Sequence, residues 1–471
     1  MTSVTKLEQT SYDRRAVSPG IVHVGYGAFH RAHQAVYVDD YMQTTGDLNW
    51  GISAVNLRAS ESVPFAAAQK AAEGYLLKTT APDGTQRMRL VRPHVDFQDW
   101  SQDASAAEEA AACPTIHVIS LTVTESGYYL NGDQNLNQKD PVIATELSSG
   151  RPNSVYAYLS CVLAKRAEAT GLPVTIMCCD NIRANGHMVE RNLLAYLELT
   201  QQGALADWVH ANVCFPCSMV DRITPQGTAE LNSEIAANFP NRPLAPIHGE
   251  AFTQWVLERK FAGPFPDLSV SGVQIVEDVD PFEEGKIRIL NGGHTGLAYL
   301  GALAGYKTFD EAMRDPDLRA HFDGWERHEV LPGLNFDLPF DKSAYLEEVT
   351  ARFDNRALAD QLERICMDGW SKMPIYIRPT LGACLQQRIT PRFGYDCVAS
   401  WYVYARHVAK GRMPIAYHDP YWDVLEPLLQ PGQAEAFART QALWADLPHA
   451  FESFVPDLVR AIKEMDGKWP A

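Results

Sequence analysis

Three observations predict an α/β fold, with a doubly wound N-terminal domain followed by a mostly α-helical C-terminal domain. Short β-branched strands alternate with helical stretches through the first 280 residues, which argues for a mostly parallel sheet covered by helices. The first of these strands, Ile21-Val-His-Val24, runs into Gly25-Tyr-Gly27 and then a helical stretch from Ala32 to Tyr41. Strand, glycine turn and helix in that order open a Rossmann-like dinucleotide-binding unit. From residue 281 onward convincing strands give way to long amphipathic or apolar helical patterns, each with one stripe to bury. The predicted domains are therefore 1–280, holding a dinucleotide, and 281–471, helical and carrying the catalytic groups.

Each element follows from its residues. Residues 1–20 are polar and read as a loose arm. Gly25 permits the tight turn after the first strand, and Gly27 lets the backbone approach a pyrophosphate at the helix N-terminus. Phe29 and Arg31 belong to the same cofactor-facing opening, while position 30, where a third glycine is usual, is His. The second strand, Trp50 to Leu57, should end in an acid for the adenosine ribose, yet it ends Asn56-Leu-Arg58-Ala-Ser60 with no acid before Glu61. Asn56 can hydrogen-bond ribose hydroxyls without repelling a 2′-phosphate, and Arg58 can pair with one. Glu61 restores some repulsion of that phosphate, so NAD is the expected cofactor, with measurable use of NADP. Further strands are read at 115–123 and 173–178, and extra strands at the sheet edge within 255–276. In the second domain, helical patterns cover 286–304, 309–331, 343–366, 394–411 and 433–463.

Bulk properties exclude several classes of function. The 471 residues carry a net charge of −17, which opposes a general nucleic-acid binder, because that affinity comes from neutralising phosphates with Lys and Arg. No apolar run approaches the length of a membrane span, and the N-terminus lacks the charged-then-apolar pattern of an export signal. The nine scattered cysteines fit reduced thiols in a cytoplasmic protein better than a disulfide framework. Cys214-Phe-Pro-Cys217 has CxxC spacing, but no second CxxC or His pair accompanies it at zinc-site spacing, so no metal is expected. Nothing in the sequence specifies an oligomeric partner.

The stretch Lys286-Ile-Arg-Ile-Leu-Asn291-Gly-Gly-His294 carries the chemistry. At about 100° per residue its lysine, amide and imidazole point to roughly 0°, 140° and 80°, one broad helix face. The following residues, Leu297 to Ala304, are almost wholly apolar, so this helix should be buried. A lysine that loses hydration has a lowered pKa and can act as a general base. Asn291 can donate to a developing alkoxide, and His294 can orient a substrate oxygen. Gly292-Gly293 costs about 1 kcal/mol of helix propensity per glycine. The expected compensation is close approach of substrate or nicotinamide.

Five segments together make this sequence similar to a known family: residues 21–40, Thr122-Val-Thr-Glu-Ser-Gly-Tyr-Tyr129, Cys179-Asp-Asn181, Met219-Val-Asp-Arg-Ile223 and Lys286-x4-Asn291-x2-His294. They resemble the polyol-specific long-chain dehydrogenase/reductases, the mannitol and D-arabinitol dehydrogenase type. The resemblance implies zinc-independent, NAD(P)-dependent interconversion of an alcohol and a ketone, with a small polyol or ketose as the partner. It further implies that Lys286 is the general acid/base, that Asn291 and Asn181 hold the reacting oxygen, and that His294 orients the substrate. Glu283 would pass the proton to solvent, and Arg364, Lys372 and Asp221 would line the substrate. Two alternatives stay open: a hexuronate reductase, with Arg364 or Lys372 meeting the C1 carboxylate, and a non-catalytic nucleotide or sugar sensor.

Overall fold

The computed structural model describes residues 7–71, 73–225 and 227–470. They form two compact units, one covering 1–81 and 85–280, the other 82–84 and 281–471. The first is built on a six-stranded, all-parallel sheet: β1 (Pro19–Val24), β2 (Gly51–Asn56), β3 (His94–Asp99), β4 (Val118–Leu121), β5 (Val174–Cys178) and β6 (Val213–Cys214). Their order is β3-β2-β1-β4-β5-β6, so the strand order reverses between β1 and β4, where doubly wound sheets bind ligands outside the strand ends. β2, β4 and β5 are buried along their whole length, as expected of parallel strands covered on both faces.

Several expectations for this unit are corrected. Residues 7–20 are not a loose arm. Leu7–Gln9 pairs parallel with Gln86–Val91, and the Arg14 guanidinium donates to the carbonyls of Arg92 and His94; residues 1–6 lie outside the described residues. The strands within 255–276 do not extend the main sheet. Gln254–Glu258 and Gln274–Val276 join Ser218–Asp221 in a separate three-stranded sheet. A further four-stranded sheet contains the hairpin of Tyr75–Thr80 and Gln86–Val91. The helix after the glycine turn is broken: α1 is only Ala28–Ala32, and α2 (Gln34–Thr45) restarts beyond His33.

The second unit is helical. α3 (Asp280–Lys286) passes through a π-helical turn, Ile287–Asn291, into α4 (Gly292–Leu303). All of α4 except His294 and Leu303 is buried. It packs against α5 (Arg392–Ala409), which packs in turn against α6 (Phe454–Lys468). Val455, Leu458, Ile462 and Met465 form the buried stripe of α6. The pattern read over 309–331 divides at Asp315-Pro316, where Asp315 caps the next helix and the proline takes its first position, as its missing N–H and fixed φ favour. The pattern over 343–366 ends at Phe353 and resumes only at Leu362. That over 433–463 is three short helices and then α6.

Candidate active site

In the first unit the residues around the glycine turn build one end of the β-sheet. Gly25 has φ +100°, and a Cβ there would lie 2.0 Å from the Thr122 carbonyl oxygen, so only glycine fits the turn between β1 and β4. At Gly27 a Cβ would meet no atom within 4 Å. The space before α1 is therefore open, as a bound pyrophosphate needs. His23 holds the turn from beneath. Its Nε2 contacts the Gly25 carbonyl at 2.9 Å and Thr122 Oγ1 at 2.8 Å, and its Nδ1 contacts Ser120 Oγ at 2.7 Å. The carbonyl can only accept, so Nε2 carries the proton.

The missing third glycine is explained here. The His30 ring stacks on His23 with centroids 3.3 Å apart, and its Nε2 meets His94 Nε2 at 2.9 Å. All three imidazoles are buried. Burial pushes His23 down to about 3 and holds His30 and His94 well below the ordinary histidine range, so all three are neutral.

The side chains expected to face the cofactor are also engaged within the protein. The Arg31 guanidinium lies over the rings of Tyr26 and Tyr75, at 5.1 and 5.4 Å, and donates to the Ala245 carbonyl. Phe29 stacks on His33, with centroids 5.1 Å apart. Asn56 is buried and shapes its own loop. Its Nδ2 donates to Arg58 O at 2.9 Å and to Asp99 Oδ1 at 3.1 Å, while its Oδ1 accepts from Arg58 N at 3.2 Å. Arg58 reaches towards the loop after β4, with Nη2 3.5 Å from Val123 O.

Two acids that the sequence did not single out are organisers here. Asp99, directly across the ladder from Asn56, puts at the end of β3 the carboxylate that the end of β2 lacks. Asp180 accepts from Val123 N at 2.9 Å, Thr124 N at 3.2 Å and the Tyr128 hydroxyl at 2.6 Å. It thereby holds Thr124, a β-branched residue at φ +65°, in the left-handed region that such residues avoid. Burial raises Asp180 to about 6. Asn181 follows it on an exposed bend after β5, and Asp221 is buried at the end of Ser218–Asp221.

In the second unit Lys286 closes α3 with 6% of its surface exposed, and Glu283, one turn earlier, is buried beside it in sequence. The intervening π-turn winds through i→i+5 bonds, so the uniform 100° rotation used to place Asn291 and His294 on one face does not apply across it. Asn291 ends that turn with its Oδ1 buried and without a hydrogen-bond partner. Such an orphan costs about 1–3 kcal/mol and is a place for a ligand hydroxyl. His294 lies between Phe309 and Phe353, at 4.4 and 4.9 Å, and its Nε2 is 3.7 Å from Asp360 Oδ2. Burial lowers its pKa to about 3, so the ring is neutral.

Asp360 links two of the predicted residues, because the Arg364 Nε donates to its Oδ1 at 3.0 Å. Arg364 is more than half exposed, and Lys372 donates to the Ile365 carbonyl at 2.8 Å. Gly293 of the glycine pair has an internal reason. A Cβ at Gly293 would lie 2.5 Å from Glu326 Oε1 and 3.0 Å from the Phe322 ring. Glu326 is fully buried with both oxygens unpartnered, and burial pushes its carboxyl well above the usual range.

Comparison with known proteins agrees over almost the whole chain. Residues 19–270 match the mannitol dehydrogenase Rossmann domain and residues 278–466 the mannitol dehydrogenase C-terminal domain. The D-arabinitol 4-dehydrogenase of Klebsiella pneumoniae is 36% identical, covering 90% of this chain and 94% of its own. A polyol:NADP oxidoreductase of Gluconobacter oxydans is 35% identical, covering 80% and 78%. The structure of Pseudomonas fluorescens mannitol 2-dehydrogenase in ternary complex with NAD and D-mannitol superposes with a TM-score of 0.86 at 32% identity, covering 98% of this chain and 94% of that one.

Proposed function

The chain belongs to the mannitol dehydrogenase family, and from that premise we propose that it oxidises a secondary hydroxyl of a sugar alcohol of the D-arabinitol or mannitol type to the ketose, with Lys286 as general base and NAD as the preferred cofactor. The observation that carries this reading is a buried lysine leading, through one π-turn, to a buried amide oxygen with no partner. π-turns of this kind are frequent at functional sites.

A bound nicotinamide dinucleotide supplies the hydride acceptor. The first unit offers it a turn only glycine can make, open space at Gly27 and the Asn56–Asp99 pair at the strand ends. Lys286 takes the proton of the reacting hydroxyl, as a general base does. Asn291 holds that oxygen: its N–H₂ donates to the developing alkoxide, and its unpartnered Oδ1 accepts from a neighbouring hydroxyl. His294, neutral and fixed between two phenyl rings, orients a further hydroxyl. Glu283 carries the proton onward, and the family resemblance assigns Asn181 to the reacting oxygen beside Asn291 and Asp221, Arg364 and Lys372 to the rest of the substrate.

Of the two cations the hexuronate alternative could use, Arg364 is engaged by Asp360 and Lys372 by the Ile365 carbonyl; what favours a neutral polyol is the similarity to the D-arabinitol and mannitol dehydrogenases. For cofactor choice, Asp99 places a negative charge beside Asn56, which disfavours a 2′-phosphate, while Arg58 softens that effect. The test is a panel of pentitols, hexitols and hexuronates, each assayed with NAD and NADP by nicotinamide absorbance. Reduction of NAD by at least one polyol, with hexuronates inert, is expected. Turnover confined to hexuronates would overturn the substrate class.

A further inference from the structure

The CxxC segment left unused by the proposed reaction lies beside a histidine and a glutamate that no linear spacing connects. One ligand atom each from His187, Cys217 and Glu258 lie within 4.8 Å of one another. They come from three elements of the first unit: the helix Asn185–Leu199, the segment between β6 and Ser218–Asp221, and the end of the strand Gln254–Glu258.

The grouping is held from both sides. Cys217 and Glu258 extend the antiparallel ladder that pairs Ser218 with Leu257. Glu258 N donates to Cys217 O at 2.9 Å, and Cys217 N donates to Glu258 Oε2 at 2.8 Å, so the carboxylate is bound to the backbone of the thiol it faces. The helix is pressed onto the same segment. At Gly186 a Cβ would lie 2.5 Å from the Pro216 carbonyl oxygen and 2.6 Å from that of Phe215. Only glycine allows this approach, and it sets His187, the next residue, against Cys217.

We propose that His187, Cys217 and Glu258, none of them assigned to the reaction, form a binding site for a zinc-class divalent cation. Thiolate, imidazole and carboxylate are the ligand types zinc takes, and a soft sulfur disfavours calcium and magnesium. Bond lengths of about 2.0–2.3 Å in a tetrahedron put ligand atoms roughly 3.5 Å apart, so closure from 4.8 Å is a side-chain adjustment. Cys217 ligates as thiolate, releasing its proton to solvent on binding, and water completes the tetrahedron. The ion pins the first turn of the helix to two strands, so its effect is on the stability of this unit.

The test is titration of the full chain, stripped of metal, with Co²⁺ and then competition by Zn²⁺. One equivalent of cobalt should give the absorption of tetrahedral Co²⁺ with a thiolate-to-cobalt charge-transfer band, and zinc should displace it. Cys217→Ser should lose the charge-transfer band, and the surface variant His187→Gln should bind more weakly by well over the ~10-fold that even an outer-shell change costs. Cys214→Ser should bind as the wild type does. Zinc should raise the melting temperature of the wild type but not of His187→Gln. Absence of stoichiometric cobalt binding, or an unchanged spectrum in Cys217→Ser, would overturn the site.

Discussion

Lys286 and Asp99 are single side chains on which the proposed reaction turns. Truncation of the lysine, Lys286→Ala, should lower turnover by at least ~10²-fold, the scale of a positioned acid–base group, with the circular dichroism spectrum unchanged. Near-normal turnover would remove the lysine from the chemistry. Asp99→Asn removes the carboxylate facing Asn56 but keeps an acceptor for its amide. It should shift the ratio of NADP to NAD use upward by about 10- to 100-fold, since hydrogen bonds involving a charged group are worth about 1.5–3 kcal/mol. Arg58→Ala should move the same ratio the other way. Equal changes with both cofactors would mean that neither residue reads the ribose. Asp99 was not legible in the sequence, because it lies 43 residues from Asn56 and meets it only through the β2–β3 register.

At the scale of elements, the helices of the second unit depend on buried carboxyls. Glu329 accepts from Phe393 N and Gly394 N, both at 2.8 Å, which satisfies the first turn of α5 as a cap would. Burial nevertheless raises its pKa from 4.5 to about 7. A folded-state value above the unfolded one gives stability that is complete below about pH 4.5 and lost as pH rises through 7. Glu329→Gln should therefore flatten the melting temperature against pH across that window while lowering it overall, because one backbone N–H loses its acceptor. An unchanged slope would place the titration elsewhere.

Helices and strands were legible where period and length agreed. Residues 286–304, 394–411 and the strands β1, β2, β4 and β5 all stand close to their sequence positions. The hairpin 75–91 and the π-turn were not, since one is pinned by long-range pairing and the other depends on a bonding shift that leaves the apolar pattern intact.

For the whole molecule, the reacting groups are organic and none of them is a ligand of the candidate ion site. Exhaustive chelation should leave turnover within about twofold of the untreated enzyme, and activity lost with the metal and restored by zinc would require a Lewis-acid step. The Rossmann-type and helical architecture could be read from the sequence because it rests on local pattern. What could not be read were the supports: Asp99, Asp180, Asp360 and Glu326. These acids look like ordinary surface charges until folding places them.

The stacked imidazoles beneath the glycine turn set a limit on the acidity this protein tolerates. An unfolded chain takes up protons on His23, His30 and His94 near pH 6.5, whereas the folded unit refuses them, His23 down to about pH 3. The folded values are depressed, so stability from these groups is complete above pH 6.5 and falls as pH drops below it. Each histidine contributes about 1.4 kcal/mol per pH unit, and three together about 4. Against a total stability of about 5–15 kcal/mol, a few pH units are enough to open the unit. Acid unfolding should then consume close to three protons in this region, measurable by pH-stat, and one fewer in His94→Gln. His30, at the position where a third glycine is usual, adds one of the three buried imidazoles through which the glycine turn answers to the acidity of its surroundings.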